Sequence, residues 1–302
     1  MSAIYRQVRP LGHKPGSYPG LSDRLLLSHY ENNYGGALRR GNAIAKHLAE
    51  LPLDAPGFLR NGLKREALIA HNSVVLHEVH FDALGPFVPP PDDLARAIDA
   101  SFGSFAAMTA EIAATAKALA GGSGWVVLAD DPRDGKLAIQ WGMDHTMALA
   151  GATPIFALDM YEHAYHLDYG ADANAYAGAV LGMTDWSAVA RRWRREERPA
   201  DPHALDIAAA QAFQGSWVDA RRAPVYEAAP TKLPGAVWRD PLALEGIEAG
   251  LPKDKPVLVY CVLGFNFSRD AAKALRDKGY DARYLDVGSS GWAAMGLKLE
   301  AK

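Results

Sequence analysis

The chain has 302 residues, 49% hydrophobic and 22% charged, with a formal net charge of −3. That length holds one large domain or two of medium size. The near-neutral charge excludes a general electrostatic attraction to nucleic acid or anionic membrane. A single cysteine, Cys261, excludes an intramolecular disulfide and fits a reducing cytoplasm. No apolar signal segment is visible at the start, and no stretch reaches the roughly 18 apolar residues of a membrane span.

Residues 1–20 are rich in Gly and Pro and read as an extended arm. Ser22 is a predicted N-cap, and residues 21–51 read as helix with Gly35 and Gly36 as a weak point. His29 lies on this element. Residues 64–84 form a second predicted helix carrying His71, His77 and His80. Asn72 and Ser73 sit inside it, where their helix propensity is poor. The Pro-rich PFVPPPDD over 86–93 separates this helical part from the rest.

Residues 93–118 read as one or two helices, with FGSF at 102–105 as a break. GGSGWVVLADD reads as a glycine-rich turn and a strand, and LAIQWG as its hairpin partner after an Asp-Gly turn. A third strand is predicted to end at Asp159. An Ala-rich helix to about Val180 follows, and then a basic helix capped by Thr184 or Asp185. Its arginines alternate with Glu196 and Glu197, the pattern of a solvated helix face rather than a nucleic-acid patch. RPADPH reads as a linker. Beyond it, short apolar runs alternate with helical stretches, as in a small parallel α/β domain.

The chemistry concentrates in DMYEHAYHLDYG. Asp159 and His163 are four residues apart, a spacing that puts both on one face of a helix. With His29 and His77 they make three imidazoles and one carboxylate. That donor set suits a redox-active first-row ion such as iron or manganese, and Cys261 is too far along the chain to add a thiolate.

Residues 21–195 resemble an iron/manganese superoxide dismutase. FGSF, GSGW before an apolar strand, and DMYEHAYHLDYG occur in the family's order and approximate spacing, with Tyr161 where a Trp is usual. The resemblance implies His29, His77, Asp159 and His163 as ligands of one iron or manganese ion per subunit, with superoxide as substrate. It implies Glu162 as the residue that reaches a partner subunit's ligand, in a homodimer or homotetramer. The sequence also departs from the pattern. Leu76 and Phe81 replace an Asn and a Trp beside His77. Asn33 and Ala37 fall where a second histidine and a gateway tyrosine are usual, with Tyr34 nearby. The glutamine that normally bonds the solvent on the metal is absent, and His145 is the candidate substitute.

Cys261 follows the apolar run PVLVY and precedes a predicted helix near Ser268. A strand-end cysteine entering a helix meets backbone N–H groups and the positive helix end, which favour a thiolate and a bound anion. Residues 210–297 resemble a rhodanese-like domain through WVDARR, PGAVW, YCVLGFNFSRDAAKALRDKGYDARYL and GSSGW. The resemblance implies Cys261 as a persulfide-forming residue and thiosulfate or another small anion as its ligand. Its loop is about one residue longer than the usual CxxGxRS, and Arg269 falls after it. Asp219 and Arg221 match a DxR stretch of that family.

The expected fold is α+β. A helical hairpin domain (1–88) and an α/β metal-binding domain (89–198) of superoxide dismutase type precede a linker (199–208). A rhodanese-like domain with a parallel sheet (209–302) completes it. The expected function is superoxide dismutation in the cytoplasm. Two alternatives are a sulfurtransferase whose first domain mainly dimerises, and a non-catalytic metal-binding stress protein.

Overall fold

The computed structural model describes residues 6–119 and 123–302. The first residues of the expected N-terminal arm, and Gly121 and Gly122 of the expected turn, lie outside the described residues. The chain folds into two compact units. One is Gly12–Arg198; the other combines residues 6–11 with Pro199–Lys302.

The first unit opens with α1 (Asp23–Ser28), whose Leu25 N–H donates to the Ser22 side chain, as a cap requires. The next six residues, His29–Tyr34, form a π-turn before the helix resumes as α2 (Gly35–Glu50). The long α3 runs Gly57–Ala83, so it begins well before Lys64. Gly62 and the exposed Phe58 and Leu59 mask the helical periodicity of its first two turns. At FGSF the chain does break. α4 (Asp92–Phe102) ends on Gly103 at φ +84°, and the Ser104 side chain caps α5 (Phe105–Ala118).

Strands β1 (Trp125–Asp131), β2 (Lys136–Gly142) and β3 (Thr153–Asp159) form an antiparallel sheet in the order β2-β1-β3. α3 packs on it through Leu76 and Val79 against Trp125, Val127 and Ala157. A 3-10 turn (Glu162–Ala164), α6 (His166–Tyr169), α7 (Ala173–Gly182) and α8 (Trp186–Trp193) complete the unit. Asp185 caps α8 by accepting from the N–H groups of Ser187 and Ala188. The basic end of α8 is neutralised locally: Arg192 pairs with Asp82, and Arg194 with Asp93.

The second unit contains β4 (Ala204–Leu205), α9 (Ile207–Gln211), β5 (Ser216–Asp219), α10 (Ala223–Ala228), β6 (Thr231–Lys232) and β7 (Val237–Trp238). After these come β8 (Val257–Tyr260), α11 (Asn266–Asp277), β9 (Ala282–Leu285), α12 (Gly288–Ala294) and β10 (Glu300–Ala301). Five strands pair in parallel in the order β4-β9-β8-β5-β7. The core of this unit joins Val218, Val257 and Val259 to Ala271, Ala272 and Leu275 of α11. Gln7 ties the N-terminal stretch to this unit by accepting from the Ala208 N–H.

Candidate metal centre and the cysteine loop

The four expected ligands come from four pieces of chain. His29 opens the π-turn, His77 lies on α3, Asp159 ends β3, and His163 lies in the 3-10 turn. Asp159 and His163 therefore meet without an α-helix. A strand end followed by a tight turn brings His163 Nε2 to 3.2 Å from Asp159 Oδ2. His29 Nε2 lies 3.0 Å and His77 Nε2 3.6 Å from the same oxygen. Each residue offers one ligand atom, and the four atoms lie within 4.8 Å of one another. Asp159 is fully buried, His29 and His77 nearly so, while His163 is partly open.

Hydrogen bonds on the far side of the rings decide what these nitrogens can do. The Ser73 carbonyl can only accept, so His77 Nδ1, 2.7 Å away, must carry the proton. In the neutral ring Nε2 is then a bare lone pair. It is buried, has no hydrogen-bond partner, and faces a carboxylate oxygen. Two lone pairs turned toward each other repel; a cation between them converts that repulsion into two bonds. The residues thus fit a metal ion on the site's own geometry.

Electrostatics hold the same protonation states. Burial lowers the basicity of His29 against the opposing pull of Asp159, and lowers that of His77 much further. Burial alone raises the Asp159 carboxyl, but hydrogen bonds from His163 and His29 outweigh it and hold it well below the usual range. Neutral imidazole and ionised carboxylate are the forms that bind metal.

Sequence reasoning assigned no role to His80, which is buried beside His29 with ring centroids 5.5 Å apart. Its Nδ1–H donates to the Ala157 carbonyl at 3.0 Å, and burial pushes its pKa down to about 4. The HEVH spacing was the available signal, since residues three apart share a helix face.

Around the ligands, His145 stacks on Tyr161 at 5.1 Å, and Tyr161 stacks on His163 at 5.5 Å. The indole N–H of Trp125 donates to His145 Nδ1 at 2.8 Å. Asn72 donates to the His145 carbonyl, which accounts for an amide inside α3. Tyr34 is buried with its ring 6.1 Å from that of His77, and its hydroxyl donates to Glu78 Oε1 at 3.1 Å. Asn33 lies half-buried on the π-turn, and Glu162 is exposed.

In the second unit, Cys261 directly follows β8 and is buried, with Sγ 3.2 Å from Ser268 Oγ. Its loop closes through Gly264 at φ +74°, where a Cβ would collide with the Asp286 carbonyl, so only glycine fits. Arg269 donates from Nε to the Gly264 carbonyl and lies over the rings of Tyr284 and Phe265. It therefore braces the loop. Asp219 is fully buried and takes bonds from Arg221 and from the Tyr260 hydroxyl, which makes the DxR stretch a structural clamp.

A helical N-terminal part, a three-stranded antiparallel sheet and a buried three-imidazole, one-carboxylate cluster define a mononuclear metal protein of superoxide dismutase type. Comparison with known proteins agrees. Residues 90–192 match the family of iron/manganese superoxide dismutases, C-terminal domain, and residues 204–295 match the rhodanese-like domain. The chain is 54% identical over 188 residues to a superoxide dismutase [Fe] of Cupriavidus metallidurans, covering 62% of this chain and 95% of that protein. It is 31% identical over 180 residues to a superoxide dismutase [Mn/Fe] of Propionibacterium freudenreichii, covering 58% and 89%. A superoxide dismutase [Mn] of Pseudomonas aeruginosa is 34% identical over 167 residues, covering 54% and 81%. The chain belongs to the iron/manganese superoxide dismutases and carries a rhodanese-like domain after the dismutase part.

Proposed function

We propose that this protein disproportionates superoxide at one iron or manganese ion held by His29, His77, Asp159 and His163. The observation that carries the reading is the buried, unpartnered Nε2 of His77 facing Asp159 Oδ2. Iron or manganese supplies a one-electron couple, so two superoxide ions and two protons give dioxygen and hydrogen peroxide. Three neutral imidazoles and one carboxylate keep the ligand charge low, which leaves two oxidation states accessible. The Ser73 carbonyl holds the His77 ring and fixes its tautomer. His145 takes the place of the missing glutamine. Tyr34, held by Glu78, and Asn33 stand where the usual gateway residues are altered. Glu162, exposed beside His163, joins two copies in a homodimer, alone or within a homotetramer. The cytoplasm is the compartment that the single cysteine fits.

Metal content and a superoxide assay on purified wild type and His163→Ala test this reading. We expect one iron or manganese per chain and activity proportional to metal, both lost in the variant. A metal-free, inactive wild type refutes it.

A second reading concerns Cys261, because its thiol sits at the strand-to-helix loop where backbone N–H groups favour an anion. With thiosulfate, the thiolate attacks the sulfane sulfur, a new S–S bond forms, the old one breaks, and sulfite leaves with the electron pair. Cyanolysis of the thiosulfate-treated protein checks this. Thiocyanate should form with wild type and not with Cys261→Ser; none from either discards the reading.

A further inference from the structure

We infer that residues 6–11 are a strap that holds the cysteine loop shut, and that lifting the strap opens the Cys261 thiol to small reagents. The inference rests on the Cys261 reading above for its purpose, because it names what gates that thiol. Its contacts stand apart from any turnover.

The strap touches its own unit at two places. At the first, the Gln7 side-chain carbonyl accepts from the Ala208 N–H at 2.9 Å. That donor lies in the first turn of α9, where a helix has no carbonyl of its own to offer. The Asp206 side chain caps the next donor, Ala209, so the strap completes a cap that α9 makes only in part. At the second place, Val8 is buried and packs on α12 at Gly291. Its Cγ1 stands 3.3 Å from the point a Cβ would take there. Glycine leaves a bare patch of helix, and the valine side chain closes on it.

Both contacts brace the corner that carries the cysteine. α12 follows β9, and its Ser289 and Ser290 N–H groups donate to the Cys261 and Val262 carbonyls at 2.8 and 2.9 Å. α9 follows β4, which pairs with β9 and whose Leu205 carbonyl accepts from the Asp286 N–H. The Asp286 carbonyl in turn lies against Gly264 of the loop. Direct contacts therefore run from Val8 through α12 to the backbone of Cys261, and from Gln7 through α9 and Asp286 to Gly264. The cysteine is 4% exposed, so a reagent reaches its thiol only when this corner parts.

The test is alkylation of Cys261 by iodoacetamide in the full chain, with amide hydrogen exchange read over α12 and β8. Val8→Asp sets a charge against the Gly291 face and lifts the strap. We expect alkylation about tenfold faster than in wild type, equal to about 1.4 kcal/mol of easier opening. Exchange at Ser289 and Ser290 should quicken by a similar factor, while the β8 amides keep their wild-type protection. Because Val8→Asp also burdens the core, Gln7 variants read the other contact. Gln7→Leu removes the acceptor and should speed alkylation; Gln7→Glu keeps an acceptor oxygen at a helix start and should not. Unchanged alkylation in both Val8→Asp and Gln7→Leu overturns the inference. So does a Gln7→Leu protein whose β8 exchange quickens as much as its α12 exchange, which makes the strap a brace of the whole unit. No outcome depends on sulfur transfer: a wild type that forms no thiocyanate discards the sulfurtransfer reading alone.

Discussion

Asp159→Asn gives the sharpest test of the metal cluster, because it keeps the side chain's shape and removes its charge. All four ligand atoms lie within 4.8 Å of one another, so an ion among them sits less than about 4 Å from the carboxylate. At that distance, and with an effective dielectric constant near 20, even a unit charge interacts by about 4 kcal/mol. At about 1.4 kcal/mol per decade, the variant should bind metal about a thousandfold more weakly. Thermal melting reads this directly. Free metal at a thousand times the dissociation constant stabilises wild type by about 4 kcal/mol. For a unit of this size that is a rise of about 8–16 °C between stripped and loaded protein. At the same metal concentration the variant sits near its own dissociation constant and should rise by only about 1 °C. Equal shifts for the two proteins would refute Asp159 as a ligand, and no shift in wild type would refute the cluster as a metal site.

Three more outcomes follow from particular residues. Burial raises the Asp286 carboxyl from 3.8 to about 6, so the folded state holds its proton where the unfolded chain has released it. Stability of the second unit should therefore fall as pH rises from about 4 to 6, by up to about 3 kcal/mol; melting of Asp286→Asn should lack that slope. Asp219→Asn leaves the Arg221 guanidinium buried against a neutral partner, and denaturant unfolding of the second unit should show a loss of about 3–5 kcal/mol. Metal content should be unchanged in that variant, since none of the four cluster residues belongs to that unit. Glu162→Ala should shift sedimentation of the protein from dimer toward monomer at micromolar concentration, and an unchanged dimer would remove Glu162 from the interface.

Much of the candidate cluster was legible because the four-residue spacing of Asp159 and His163 and the resemblance of the flanking motifs pointed to the same polar residues, which the structure brings together. Asp159 at the end of an apolar strand and His77 on a buried helix face are examples. FGSF could be read as a break because Gly103 and Ser104 carry separate stop and start signals. The π-turn at His29–Tyr34 could not be read: its residues have no composition distinct from an ordinary helix, and tertiary packing selects it. The Trp125–His145 bond was hidden for another reason. Twenty residues separate the partners, and only the β1–β2 hairpin brings them together. Asp286 was invisible because nothing in a sequence shows which carboxylate a neighbouring loop will cover.

The chain order of the two units has a mechanical consequence. Residues 6–11 and the C-terminal stretch belong to one unit, and the dismutase unit is inserted between them. Tension applied to the two ends is carried first by the unit that contains both. The dismutase unit lies off that path and feels the load only after its host has opened. Cutting the chain at Pro199 would likewise strand residues 6–11 on the wrong fragment. A faithful separation of the two units needs a circular permutant that keeps those residues with the cysteine loop.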